Sequence, residues 1–196
     1  MTQQKESVVT PERFASGLTW EQWMAHIQRN VPKFQYNYDE TAVPEDNAAR
    51  LKALAKKPNG PAKMLVLGED WCPDVFRGAP VLVRIAEAAG LEARLFPRDD
   101  NPDIMAEFLN HGEHQSIPVA VFYTADHRYI AHWIERPARA EAELGEIQKL
   151  FDGLDREKDA REMRRRYNEF QLGPMWASWR QATIEEITAL LEEKCA

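Results

Sequence analysis

The sequence predicts an α/β fold, with a central sheet covered by helices and further helices at both ends. A short, unbroken apolar run, Met64–Leu67, is typical of a strand buried on both faces. It leads through a turn into Val75–Gly90, where apolar residues recur at helical spacing. A second pair of strands, Val119–Tyr123 and Arg128–Ile134, is separated by turn residues and predicts a hairpin.

The N-terminal part, residues 1–61, is expected to be a helical extension packed on the core. Thr10–Pro11–Glu12 combines a capping hydroxyl, a proline and an acid, which together indicate a helix start. A capping box at Thr19–Gln22 opens an amphipathic helix that is predicted to reach about Asn30.

Two further segments complete this extension. Val31–Pro44 carries three aromatic residues between prolines and is predicted to be a connection that crosses the domain. Glu45–Lys56 follows as a helix, which the Pro58–Pro61 segment ends. We find no convincing strand before Met64, so helix is expected in place of an earlier strand.

The core is assigned to residues 62–152 and a helical C-terminal extension to residues 153–196, within one compact domain. Inside the core, Leu91–Phe96 predicts a strand, Asp103–Asn110 a short helix, and Pro137 the start of a helix to about Phe151. Beyond it, Leu154–Gln171 predicts a charged helix and a last helix ends near Lys194. Acids surround the basic run within the charged helix, which favours a solvated face over a phosphate site.

Composition restricts the function. Of 196 residues, 44% are hydrophobic and the net charge is −7, so the chain is globular and has no electrostatic reason to bind nucleic acid. No apolar run approaches the length of about 20 residues that spans a membrane. The first residues lack a basic start and an apolar core, so no signal peptide is predicted and the expected location is the cytoplasm.

The chain has two cysteines, Cys72 and Cys195, which do not make a disulfide framework. Cys195 is next to last and is interpreted as a tail cysteine rather than a resolving thiol. No metal site is predicted, because Cys72 has no second cysteine at ligand spacing and His111 and His114 lie in a loop without a matching pair. No cofactor is expected.

Cys72 is placed where the buried strand ends and the helix begins. A helix start offers unpaired backbone N–H groups and the positive end of the helix dipole, which favour a thiolate, the nucleophilic form of cysteine. Pro73 suits the first helical turn, where no N–H is needed. The alternative is a structural cysteine that fills space as a small apolar residue.

Trp71–Cys72–Pro73 after the buried strand, and Ser116–Ile117–Pro118 ahead of the second one, resemble the thioredoxin superfamily. The longer series EDWCPD, RDDNPDIMAEFLN, SIPVAVFY and an arginine after HWIE is similar to a bacterial thioredoxin-like group with E-D-W-C-x-D at the active site. The resemblance covers about Met64–Arg136. It implies a three-layer α/β/α arrangement around a mixed sheet, with a cis-proline at Pro118 facing Cys72.

The sequence departs from the family at the second cysteine. Thioredoxins carry W-C-x-x-C, whereas Val75 stands at the position of the resolving cysteine. The resemblance therefore implies thiol–disulfide exchange at a single cysteine, with a small thiol or a protein disulfide as partner. The alternative is a redox-inactive module that binds a peptide or protein in the groove between Trp71 and Pro118. A redox role predicts a lowered pKa of Cys72, and a binding role does not. The sequence does not set the oligomeric state.

If the fold is right, one rim of the sheet gathers the candidate site residues. Cys72, Asp74 and Pro118 are the catalytic candidates; the substrate-binding candidates are Trp71, Pro73, Ile117, Arg98 and Arg136. Asp74 has three alternative roles: helix stabilisation, proton relay and ion pairing with Arg98 or Arg77. The two arginines either attract an anionic ligand or pair with Asp70 or Glu69.

Overall fold

The computed structural model describes residues 7–196. The helices are α1 Pro11–Ala15, α2 Trp20–His26, α3 Val31–Asp39, α4 Glu45–Ala55, α5 Pro73–Ala89, α6 Pro102–Met105, α7 Ala138–Lys149, α8 Ala160–Phe170 and α9 Pro174–Lys194. The strands are β1 Lys63–Gly68, β2 Glu92–Pro97, β3 Val119–Tyr123 and β4 Tyr129–Ile134. The four predicted strands are confirmed to within about two residues at each end.

The four strands form one mixed sheet in the order β2-β1-β3-β4. β1 runs parallel to β2, with Val66 opposite Leu95, and antiparallel to β3, with Val66 opposite Ala120. β3 and β4 form the predicted antiparallel hairpin. All five residues of β3 are buried, as are five of the six in β1, so the centre of the sheet is covered on both faces.

Helices cover both faces of this sheet. Successive residues of β1 point to opposite sides, so Gly68 and Lys63 lie on different faces. Gly68 faces α5, where a Cβ on Gly68 would lie 2.7 Å from Val75 Cγ1. Lys63, on the other face, holds its Nζ 5.8 Å from the ring centroid of Phe14 in α1. α9 packs beside α5 and against β4. The three-layer α/β/α fold class is thereby confirmed.

The prediction that Val31–Pro44 is a connection crossing the domain was wrong, because most of it forms α3. Pro32 lies in the first turn, where its missing N–H costs nothing. Phe34 and Tyr38 are one helical turn apart and pack against Trp20, at centroid distances of 6.4 and 5.2 Å. The aromatic residues therefore have the spacing of one helix face, which the prediction of a connection did not take into account.

Three predicted helices are shorter than expected. α2 ends at His26, because Ile27 is extended, and α8 begins at Ala160 instead of Leu154. The helix predicted over Asp103–Asn110 ends at Met105 and continues as tight i→i+3 turns. Tight turns of this kind are frequent at the ends of helices.

No strand precedes β1 within the described residues, but a single bridge does. Leu18 exchanges both backbone hydrogen bonds with Leu95, at 2.9 and 2.8 Å, along the outer edge of β2. None of the helices within residues 7–196 is long and apolar enough to cross a membrane. The signal-peptide prediction concerns the extreme N-terminus, and its residues 1–6 lie outside the described residues.

The close approach of β1 to α5 at Gly68 leads to a stability prediction. Val75 is fully buried and β-branched, so it has little freedom to move away from an added methyl group. We expect Gly68→Ala to lower the free energy of unfolding by about 1–3 kcal/mol, the usual cost of overpacking. Urea unfolding measures this loss. Gly145→Ala, where a Cβ meets no atom within 4 Å, is the matched control and should not destabilise. Equal stability of Gly68→Ala and the parent chain would contradict the prediction.

Candidate functional site

Cys72 is the N-cap residue of α5, as the sequence predicted. Its thiol makes a weak hydrogen bond to the carbonyl oxygen of Ile117, with Sγ and O 3.8 Å apart. The Ile117–Pro118 peptide bond is cis, as the resemblance implied. Val75, at the position of the resolving cysteine, is fully buried. A single sulfur therefore faces the cis-proline loop.

Pro118 lies against α5 as well as beside Cys72. A Cβ built on Gly78 would be 3.0 Å from Pro118 Cγ, closer than ordinary van der Waals contact. Gly78, six residues after Cys72, thus leaves space for the proline ring. The helix that presents the thiol also positions the loop opposite it.

Trp71 and Arg98 form the outer side of the site. The Trp71 side chain is one of the few large apolar groups on the surface, with 43% of the residue exposed. The guanidinium of Arg98 lies 5.4 Å from its ring centroid, a distance that allows a cation–π interaction. Arg98 also donates two hydrogen bonds to Asp99. Arg98 therefore orients Trp71 and already has a carboxylate partner.

Asp74 is held by two arginines in the first turn of α5. Arg77 Nη2 lies 2.8 Å from Asp74 Oδ1, and Arg136 Nη2 lies 2.9 Å from Oδ2. Arg136 also pairs with Glu135 and with Glu141. The predicted pairing of Asp74 with Arg77 is confirmed. Neither Arg98 nor Arg136 is the unpaired cation that a free anion site requires.

The alternative that Asp70 or Glu69 pairs with these arginines was wrong. The Asp70 carboxylate accepts backbone hydrogen bonds from Gln28 and Arg29, both at 2.9 Å. Glu69 accepts a hydrogen bond from the backbone N–H of Asp99 at 2.8 Å. Both carboxylates therefore bind backbone N–H groups of neighbouring loops and do not pair with arginine side chains.

The electrostatic surroundings of Cys72 are opposite to those of an activated thiol. Burial raises the pKa of the Cys72 thiol, and the negative charges of Asp74 and Glu135 raise it further. The backbone N–H groups of Val75 and Asp74 act in the other direction, as expected at a helix start. The net direction is upward, whereas a redox role was expected to show a lowered pKa.

The sequence reasoning missed the contribution of α8 and α9 to the site. Burial raises the pKa of Tyr167 in α8, and the negative charge of Asp74 raises it further. Trp176 and Trp179 of α9 flank Arg77, and their ring centroids lie 5.7 and 5.8 Å from its guanidinium carbon. The signal was present as apolar residues at helical spacing: Met163, Tyr167 and Phe170 in the charged helix.

The remaining candidates lie elsewhere or form no cluster. Cys195 is the C-cap residue of α9, where Lys57 Nζ donates to its carbonyl oxygen at 2.6 Å. Both cysteines are free. Within residues 7–196 no group of three or more His, Cys, Asp or Glu side chains is placed to hold a metal ion.

Comparison with known proteins agrees with the fold. A solved structure of a protein of unknown function from Pseudomonas aeruginosa is similar, with a TM-score of 0.65 and 15% identity over 94% of this chain and 98% of that one. An HIV epitope-scaffold structure has a TM-score of 0.62 and 18% identity over 96% and 99%. At these identities the likeness shows the fold alone, and no curated protein matches the chain. A family model described as thioredoxin matches residues 17–150, which is more than half of the sequence, so the chain belongs to the thioredoxin family.

Proposed function

We propose that this thioredoxin-family protein carries out thiol–disulfide exchange through the single thiol of Cys72. The observation that carries the proposal is the position of Sγ, at the start of α5 and 3.8 Å from the Ile117 carbonyl beside Pro118. The E-D-W-C-x-D motif keeps the attacking cysteine and lacks the resolving one. An extended substrate would lie along Ile117 and Pro118, with Trp71 as its outer wall.

The proposed reaction has two steps. The Cys72 thiolate attacks one sulfur of a disulfide, a new S–S bond forms, and the other sulfur leaves as a thiolate that takes up a proton from solvent. An external small thiol, as its thiolate, then attacks the partner's sulfur in the mixed disulfide. Cys72 leaves as a thiolate and is reprotonated, so the external thiol supplies the resolving sulfur that the motif lacks.

The raised pKa of Cys72 is contrary to the lowered pKa expected of a redox role, and it slows the proposed reaction without preventing it. Each unit of upward shift lowers the thiolate fraction at neutral pH about tenfold, and the greater nucleophilicity of that thiolate returns about threefold. A thiolate of high pKa is also a poor leaving group, so a mixed disulfide at Cys72 would persist until a second thiol attacks. Slow formation and slow release suit capture of a partner better than rapid turnover.

A mixed-disulfide assay in a Cys195→Ser background tests the proposal. Oxidised glutathione should add one glutathione to Cys72, reduced glutathione should remove it, and the rate should rise with pH until the pH passes the raised pKa. Intact-mass spectrometry measures the adduct, and Cys72→Ser in the same background is the control. Alkylation by iodoacetamide without any glutathione adduct, even at alkaline pH, would reject the exchange reaction.

The second candidate is a binding module without redox activity at the same groove. The upward pKa shift of Cys72 favours it, because the thiol is then protonated at neutral pH. A binding role requires only that Trp71, Ile117 and Pro118 form a surface to which an extended partner can bind. Rejection of the exchange reaction in the glutathione assay would leave this candidate as the function to pursue.

A further inference from the structure

β4 is an edge strand, with β3 on one side and no further strand of the described residues on the other. Natural proteins commonly protect such edges with proline, lysine or a covering element. The regularly paired part of β4, Ala131–Ile134, contains neither proline nor lysine. His132 in this part is exposed, and Tyr129 at the start of the strand is 53% exposed. This edge is therefore open to pairing with another chain.

The backbone of β4 leaves hydrogen-bonding groups unpaired along this edge. In an antiparallel pair, alternate residues direct their N–H and C=O groups toward the partner strand, and the residues between direct them away. Glu135 donates its N–H to the Pro118 carbonyl at 2.7 Å, so Ile134 and His132 are residues that point away from β3. The Ile134 carbonyl accepts from the N–H of Arg136 at 3.0 Å. The Ile134 N–H and both backbone groups of His132 have no hydrogen-bond partner among the described residues.

A shallow groove of about 470 Å³ lies between this edge and α9. The last three residues of β4 form one wall. The α9 wall consists, in chain order, of Glu186, Ala189, Leu190 and Glu193. Its centre is therefore apolar, each end carries a carboxylate, and none of the residues that line the groove is a lysine or arginine.

The charge of the α9 wall selects the partner. The Glu193 side chain is 70% exposed and pairs with its neighbour Lys194 at 2.7 Å, an exposed ion pair of the kind that contributes little. Glu186 accepts hydrogen bonds from Trp133 Nε1 and the N–H of Ala138, which are uncharged donors. Cationic side chains are therefore complementary to both ends of the wall, whereas a second copy of this chain would bring another acidic α9 to the same edge.

We propose that the edge of β4 binds an extended, basic peptide segment of a partner protein as a fifth strand of the sheet. The backbone of the segment bonds to His132 and to the N–H of Ile134. Opposite residues of a sheet share a face, so the segment's residue opposite Trp133 points toward α9, as Trp133 does. An apolar side chain at that position lies against Leu190, and a lysine or arginine two residues away pairs with Glu193. In strand addition of this kind the backbone supplies affinity and the alternate side chains supply specificity.

Titration of the full-length chain with three six-residue peptides tests the proposal. Acetyl-KTVTKT-amide presents lysine, valine and lysine on one face, acetyl-ETVTET-amide reverses the charge, and acetyl-KPVPKT-amide removes the N–H groups that would face β4. Two-dimensional ¹H–¹⁵N NMR follows the backbone amides of His132 and Ile134, with Trp133, whose N–H faces β3, as the internal reference.

The lysine–threonine peptide should shift both edge amides, slow their hydrogen exchange and bind about tenfold or more tightly than either of the other peptides. No shift up to about 5 mM of this peptide, which would reveal millimolar binding, would overturn the proposal. Equal binding of the lysine and glutamate peptides would also overturn it.

Variants of α9 separate the charge from the backbone pairing. Glu193→Gln should weaken binding of the lysine–threonine peptide about threefold, and Ala189→Lys, which places a cation in the wall, about tenfold. Glu185→Gln makes the same change of charge at an exposed position of α9 outside the groove and should bind as the parent chain does. Unchanged binding by both groove variants would contradict the assignment.

Sedimentation equilibrium without peptide tests the competing occupant. We expect a monomer whose His132 and Ile134 amides exchange rapidly. A dimer in which these amides are already protected would assign the edge to a second copy of the chain and overturn the proposal. The peptides contain no cysteine, so failure of any of these tests leaves the exchange reaction at Cys72 unaffected.

Discussion

Asp74→Asn is expected to increase the reactivity of Cys72 at neutral pH. The Asp74 carboxylate is the stronger of the two charges that raise the pKa of the thiol, and its removal leaves Arg77 and Arg136 without their shared partner. Both changes favour the thiolate, so the pKa of Cys72 should fall. Each unit of that fall raises the reaction rate at pH 7 by about threefold, after the loss of intrinsic nucleophilicity.

The pH dependence of iodoacetamide alkylation, in a Cys195→Ser background, measures this shift. For the parent chain the rate should still be rising at pH values above the ordinary thiol pKa of about 8.5, because the folded thiol releases its proton later than a free one. Glu135→Gln should shift the profile in the same direction by less, since Glu135 contributes less to the raised pKa. Asp103→Asn, in an acid that pairs with Arg13 on the surface, is the matched control. An unchanged profile for Asp74→Asn would show that Asp74 does not set the reactivity of the thiol.

Arg77→Ala is expected to give the largest loss of stability, about 3–5 kcal/mol. Its side chain is fully buried between Trp176 and Trp179, so truncation leaves a cavity and removes one partner of Asp74. Arg77 itself is poorly satisfied, because its Nε and Nη1 atoms have no hydrogen-bond partner among the described residues. Arg77→Met keeps most of the volume and removes those atoms, so it should cost less than about 1.5 kcal/mol.

Urea unfolding with a constant m-value compares these variants on one scale. Arg165→Ala is the control, because its side chain is 55% exposed and pairs with two acids on the surface of α8. Pairs of that kind contribute about 0–1 kcal/mol. Equal losses for Arg77→Ala and Arg77→Met would mean that the charge, rather than the packed volume, stabilises this region. That outcome would contradict our account of the two tryptophans.

The centre of the fold could be predicted because its signals are local. A buried strand, a proline in the first helical turn and a cysteine between them lie within ten residues, and they place Cys72 without any knowledge of distant contacts. Ile117 and Pro118 were reachable through the family resemblance. The raised pKa of the Cys72 thiol could not be predicted from the sequence. It depends on how deeply Cys72 is buried and on the charge of Glu135, which is distant in sequence.

The helical extensions could be predicted as elements but not as parts of the site. Prolines near both ends of Val31–Pro44 suggested a connection. In the structure, packing of Phe34 and Tyr38 on Trp20 stabilises a helix there. The charged pattern of α8 indicated a solvent-exposed helix, whereas Phe170 on its apolar face packs against Trp176 and Trp179 of α9. Tertiary contacts of this kind have no counterpart in local sequence periodicity.

The hydrogen bonds from Gln28 and Arg29 to Asp70 have a consequence for the dynamics of the chain. They tie the segment between α2 and α3 to the loop that carries Trp71 and Cys72. Local opening of the N-terminal helices, which proteins sample well below the free energy of global unfolding, would release that loop and expose the sulfur. The labelling rate of one thiol would then report how often a region more than forty residues away in sequence opens.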